Sequence, residues 1–174
     1  MALRQLRLYG DALLQKKSKP VKEISDNILT LLDDMLETMR HYEGVGLAAP
    51  QVGALRRICI LEFEEKVYEL INPVIISAEG LQSKEEACLS LPGKVATVER
   101  PEKVTVEYMD REWSVRRIEA ADTLAIAVCH EMDHLDGVMY VDRALSDTFH
   151  NAERENTAGT KAGKAEEETP SSAL

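Results

Sequence analysis

Leu124-Ala125-Ile126-Ala127-Val128-Cys129-His130-Glu131-Met132-Asp133-His134-Leu135-Asp136-Gly137 is an apolar lead-in that runs into two histidines four residues apart and stops at Asp-Gly. The spacing predicts a helix over about residues 120 to 135, with Asp136-Gly137 as its stop. On a helix, side chains at i and i+4 share one face about one turn apart, so His130 and His134 can chelate a single metal ion. Glu131, next to the first histidine, then sits where it can handle the protons of a metal-bound water. Leu124, Ile126, Val128 and Cys129 make this helix a buried one. Two buried imidazoles need partners, which argues against a pair of idle surface histidines.

Working outward, a second helix is expected over about residues 25 to 42. Ser25 is its candidate N-cap, and Ile24 and Leu29 are placed as a hydrophobic staple. Ile28, Leu31, Leu32, Met35, Leu36 and Met39 follow helical spacing and read as core. Between the helices lie a glycine-rich loop, Gly44 to Gly53, and a series of short β-like runs. These are Arg57 to Leu61, Val67 to Ile71, Val74 to Ser77, and a hairpin of Val104 to Met109 with Trp113 to Arg117. The order is helix, strands, helix. The expected fold is therefore α+β, a single compact domain of short antiparallel strands around the buried C-terminal helix that carries the metal motif, plus an N-terminal amphipathic helix.

The chain has 174 residues, enough for one domain with a real core. It has no apolar run long enough for a membrane span and no secretory leader pattern at Met1-Ala2-Leu3-Arg4, so a cytoplasmic location is expected. The net charge of -10 leaves no basic stripe to meet phosphates, which argues against direct nucleic-acid binding. Cys59, Cys88 and Cys129 are an odd set with no disulfide framework. The catalytic domain is expected to occupy residues 1–145. Residues 146–174 carry six acidic and three basic side chains and almost no large apolar ones, and read as a disordered acidic tail.

A catalytic zinc-type site takes three protein ligands and one open position. Downstream, the third histidine of a long-motif zinc peptidase would fall at Tyr140, a poor match. Glu153 and Glu155 lie in the weakly structured tail. Upstream, Cys88 in Glu86-Ala87-Cys88-Leu89-Ser90 is the better candidate, because a thiolate with two imidazoles suits zinc or ferrous iron. On residue evidence alone Cys88 also reads as a buried core cysteine.

Three segments in order resemble the motifs of the peptide deformylases. G-x-G-L-A-A-x-Q stands here as Gly44 to Gln51, E-G-C-L-S as Glu86 to Ser90, and Q-H-E-x-D-H as Cys129 to His134. Ala87 replaces the family glycine and Cys129 the family glutamine; Cys129 reads as a core residue facing away from the ligand side. The resemblance spans about residues 3 to 145. It implies a metal-dependent hydrolase, which removes the N-formyl group from the N-terminal formylmethionine of new proteins and releases formate. It implies Cys88, His130 and His134 as ligands of one divalent ion, with Fe2+ expected and Zn2+, Ni2+ or Co2+ able to substitute.

The resemblance also implies roles around that ion. Glu131 carries the proton, and Gln51 with the backbone N–H of Leu89 stabilises the oxyanion. Gly44, Val45 and Gly46 lie beside the extended peptide; by their position relative to the motifs, Val45, Ile126, Ala127 and the His130 ring are the candidates to receive the methionine side chain, with Ile126 reading equally well as core. Val95 stands where some relatives carry an arginine for the peptide's distal carbonyls, and Arg100 could substitute for it; Asp133, placed in the helix motif where it cannot easily reach the metal, reads as a supporting hydrogen-bonding residue. N-formylmethionyl peptides and nascent chains are the expected partners, with any ribosome contact not driven by the acidic tail. The rivals are a zinc endopeptidase, which would not need Gln51 or Cys88, and a non-catalytic deformylase-like peptide-binding domain.

Overall fold

The computed structural model describes residues 2–152. Helix α1 spans Asp26–His41 after Ser25, and buries Ile28, Leu31, Leu32, Met35 and Met39. This is the stripe expected from the spacing, with the ends one residue shorter. Ile24 and Leu29 lie in the same apolar cluster. Asp34, buried on the same helix, binds the Arg4 side chain at 3.0 Å and accepts from the Ala2 N–H at 2.7 Å. That pairing straps the N-terminal segment across α1.

The strands are β1 (Gly46–Ala48), β2 (Ile58–Phe63), β3 (Lys66–Glu79), β4 (Gln82–Cys88), β5 (Leu91–Arg100), β6 (Lys103–Met109), β7 (Val115–Ala121) and β8 (His150–Asn151). All their pairings are antiparallel. They form a five-stranded sheet in the order β1-β2-β3-β6-β7 and a three-stranded sheet in the order β4-β5-β8. The two runs expected at 67–71 and 74–77 are one strand. The register of β3 against β6 shifts between Ile71 and Val74, where Asn72 takes a left-handed φ of 53°. Asparagine tolerates that conformation, and its amide grips Val21 by accepting from its N–H and donating to its carbonyl, both at 2.8 Å.

Helix α2 (Asp122–Leu135) follows β7 and ends at Asp136, with Gly137 at φ 76°. It begins two residues later than expected because Ala120 and Ala121 still pair in the sheet. Ala125, Val128, Cys129, Met132 and Leu135 pack into a core with Cys59, Leu61, Leu70, Val106 and Ile118 of the large sheet. The same helix reaches β5 of the small sheet. It therefore presents its histidines toward the second sheet while its apolar face is clamped by the first.

Of the tail expected from residue 146, the first part lies along β5. His150 pairs with Val95, and the Thr97 N–H donates to Thr148 Oγ1 at 3.1 Å. Residues 153–174, including Glu153 and Glu155, lie outside the described residues.

Candidate functional site

Cys88 closes β4, where the register against β5 shifts between Ala87 and Cys88. The extra residues, Pro92 to Lys94, lie on β5, so β4 keeps its alternation and Cys88 faces inward with Glu86. Cys88 Sγ lies 3.3 Å from His134 Nε2. Cys88, His130 and His134 are all buried, and each offers a ligand atom within 4.8 Å of the others. Among the described residues no other such cluster of His, Cys, Asp or Glu occurs. The downstream alternative is gone as well: Tyr140 is buried beside the site, stacked on the His130 ring at 5.9 Å between centroids, with its hydroxyl donating to the Lys94 carbonyl at 2.9 Å.

Each imidazole is set up differently. His130 Nδ1 bonds Glu86 Oε2 at 2.7 Å, which turns Nε2 toward Cys88 and His134. Burial works against a charge on His130, but bonds to Cys88 and Glu86 outweigh it and push the imidazole up to about 10. Among the described residues His134 has no carboxylate partner. Burial, then the neighbouring His130 and Arg100, push it down to about 3, so it stays neutral. A neutral imidazole beside a thiol is a ligand pair that suits zinc or ferrous iron.

Glu86 is itself anchored. Its carboxylate accepts from Arg100 Nε at 2.7 Å and Nη2 at 3.0 Å, and Arg100 Nη1 reaches Asp133 at 2.5 Å. Burial alone would raise the Glu86 carboxyl, yet the His130 and Arg100 donors hold it below the usual carboxylate range. Arg143 completes the chain by donating to both Asp133 oxygens. Arg100 is only 4% exposed, and each of its three guanidinium nitrogens bonds a carboxylate. It is therefore not the residue that grips a peptide's distal carbonyls; it braces the histidine support, and Asp133 braces Arg100.

Gln51 sits in a 3-10 turn just after β1. Its Oε1 accepts from the Ala48 N–H at 2.8 Å, which fixes the amide orientation. Nε2 then points at Ser90 Oγ (3.1 Å) and Cys88 Sγ (3.5 Å). Glu131, 5% exposed, is pushed up to about 7; burial dominates, His130 opposes it and Glu86 adds to it. Its Oε2 and His134 Nδ1 are buried without a hydrogen-bond partner among the described residues. A buried carboxylate oxygen without a donor suits a group that receives a proton from a bound molecule.

Leu89 opens the two-residue turn after Cys88 and packs toward the α1 cluster. Ile126 is buried but belongs to none of the three apolar clusters, and it lies one turn before His130 on the same face of α2. Ala127 packs against the core under the large sheet. Val45 is 63% exposed, so it can form a rim but not an enclosed wall. Cys129 is buried in the core, where burial pushes its thiol up to about 11.

Glu86, Arg100 and Tyr140 are the functional neighbours that sequence spacing did not assign as supports. Glu86 was accessible to it: two residues before Cys88 on a strand, it must share that residue's face.

Residues 3–149 match a family model described as polypeptide deformylase. The peptide deformylase of Thermoanaerobacter pseudethanolicus is 53% identical over 145 residues, covering 83% of this chain and 91% of that protein. Among solved structures, a peptide deformylase from Synechococcus elongatus in complex with actinonin superposes with a TM-score of 0.80 at 41% identity, covering 83% of this chain and 80% of its own. A Met-Ala-Ser-bound class I type b peptide deformylase from Acinetobacter baumannii gives 0.79 at 31%, covering 82% and 98%.

Proposed function

The chain belongs to the peptide deformylase family, and from that membership we propose how its own residues divide the work. The enzyme removes the N-formyl group from formylmethionine at the start of new proteins, releasing formate and freeing the amine. The family is metal-dependent, and Cys88 Sγ, His130 Nε2 and a His134 ring nitrogen would hold one divalent ion. Fe2+ is the ion we expect, with Zn2+, Ni2+ or Co2+ able to substitute. The chemistry such an ion supplies when bound is Lewis acidity at the fourth, open position.

Glu131 is assigned the proton. A carboxyl raised toward 7 can both take a proton at neutral pH and give it back to the departing amine. Gln51 Nε2 and the Leu89 backbone N–H are assigned to the formyl oxygen as negative charge grows on it. Donors fixed in advance need no reorganisation at that moment, and the Ala48 bond already holds the Gln51 amide. The peptide is read as lying extended beside Gly44, Val45 and Gly46, as an added strand. Its methionine side chain would rest on Ile126 and the His130 ring, with Val45 at the rim and Ala127 behind.

The observation that carries this reading is the gathering of one thiol and two imidazoles within 4.8 Å, on elements separated by more than forty residues. The test is formate release from formyl-Met-Ala by anaerobic, iron-loaded protein, with Glu131→Gln alongside. Loss of about 10²–10⁴-fold in the variant, with the metal retained, is the expected result. Equal rates would remove Glu131 from its role, and no release by the metal-loaded wild type would remove the reaction.

A further inference from the structure

We propose that Gly46 is a positioning residue: the side chain it lacks is the seat of the Glu131 carboxylate. The inference rests on the role proposed above for Glu131. A Cβ at position 46 would stand 2.5 Å from Glu131 Oε1, 2.8 Å from its Cγ and 2.9 Å from its Cδ. Cβ atoms essentially never make contacts under 3.0 Å, so an alanine here must displace the carboxylate or the backbone.

The backbone is not free to yield. Gly46, Leu47 and Ala48 pair with Leu61, Ile60 and Cys59 of β2, and Leu47 and Ala48 are fully buried. Glu131 rides on α2 between packed neighbours Val128, Cys129 and Met132, so the helix cannot retreat either. The carboxylate must swing, and its own surroundings are buried. Gly46 also has no left-handed φ, unlike Gly10, Gly53, Gly80, Gly93 and Gly137. Its backbone conformation would admit an alanine; the three nearest atoms that stand in the way all belong to Glu131.

Gly44 repeats the device more gently. A Cβ there would meet Leu89 Cδ1 at 2.7 Å and Cγ at 3.4 Å. Those are outer atoms of a half-buried side chain that can rotate. Gly46 thus makes room for the carboxylate assigned to proton transfer, and Gly44 for the side chain of Leu89, whose backbone N–H is assigned to the oxyanion. The peptide strand proposed above uses the backbone of these residues, which an alanine keeps; were the missing side chains there to clear the substrate, substitution would raise KM, whereas a displaced proton carrier lowers kcat.

The experiment compares Gly46→Ala and Gly44→Ala in formate release, and sets Gly46→Ala into a double-mutant cycle with Glu131→Ala read by urea unfolding of metal-loaded protein. For Gly46→Ala, kcat should fall about 100-fold, the cost of a 1 Å misplacement, while KM stays within about threefold and metal content is unchanged. Gly44→Ala should lose less. In the cycle, Gly46→Ala should lower the unfolding midpoint when Glu131 is present and much less in the E131A background. If Gly46→Ala alone does not fold, recovery of folding in the double variant gives the same answer.

An equal loss of stability in both backgrounds, or a raised KM at unchanged kcat, would overturn the proposal. Absence of formate release by the wild type would strike the assigned reaction, whereas the stability cycle reads the seat independently of turnover.

Discussion

At Glu86 two demands meet in one carboxylate. It accepts from His130 Nδ1, so that Nε2 faces the ligand cluster, and it neutralises Arg100 in a place where neither charge reaches water. Glu86→Gln keeps the shape but removes the charge. Arg100 keeps Asp133 as a partner, so the expected cost is about 3 kcal/mol, at the low end for breaking a buried pair. Losing the carboxylate that orients a histidine proposed as a ligand should also weaken metal binding about 10- to 100-fold. Urea unfolding and a chelator competition measure the two effects separately. A loss of stability at unchanged metal affinity would mean that Glu86 is only a structural counter-ion. The same network explains why Arg100 could not be placed from the sequence: its partners come from β4 and α2, and only the packed fold shows that its guanidinium is already taken.

At the scale of elements, the hairpin of β6 and β7 turns on Asp110, which accepts from the N–H groups of Glu112 (3.1 Å) and Ser114 (2.8 Å) and from Arg116 Nε (2.6 Å). The bond from Arg116, followed by that from Ser114, holds the Asp110 carboxyl below its ordinary value. A carboxyl depressed in the folded state contributes stability above its unfolded pKa, and that contribution is lost as pH falls through the folded one. The urea midpoint of the wild type should therefore exceed that of Asp110→Asn at pH 6, and the gap should narrow below about pH 4. A constant gap would show that shape, not charge, holds the turn.

This hairpin was legible from alternation around a polar turn, and α2 from its four-residue histidine spacing. Strand β4 was not, because Gln82-Ser-Lys-Glu-Glu-Ala-Cys88 carries little β-propensity. It is a strand because β5 pairs with it and because Glu86 and Cys88 turn inward together. Non-local pairing of that kind leaves almost no mark on local composition.

For the whole molecule, the candidate ligand cluster joins the two sheets. Cys88 comes from the small one, and both histidines come from the helix clamped by the large one. A bound ion should therefore oppose global unfolding. With free Zn2+ at 100 times its Kd, the gain is about 2.7 kcal/mol over chelated protein, read from urea midpoints with and without chelator. An unchanged midpoint would mean that the two sheets separate without disturbing the ligands.

The C-terminal segment divides on the same terms. Thr148 and His150 bond to β5, and Leu145 donates its N–H to the Thr97 carbonyl. The residues beyond Ala152 carry more acidic than basic side chains. Ending the chain after Leu145 removes the Thr148 bonds and β8, at about 1–2 kcal/mol for a few partly exposed hydrogen bonds. Ending it after Ala152 should leave both the midpoint and formate release unchanged. Neither truncation should reduce co-sedimentation with ribosomes, since an acidic segment is repelled by an RNA surface. A midpoint that falls only with the shorter chain would place the working C-terminus at β8. A drop in co-sedimentation with either would assign the acidic segment a docking role that its charge opposes.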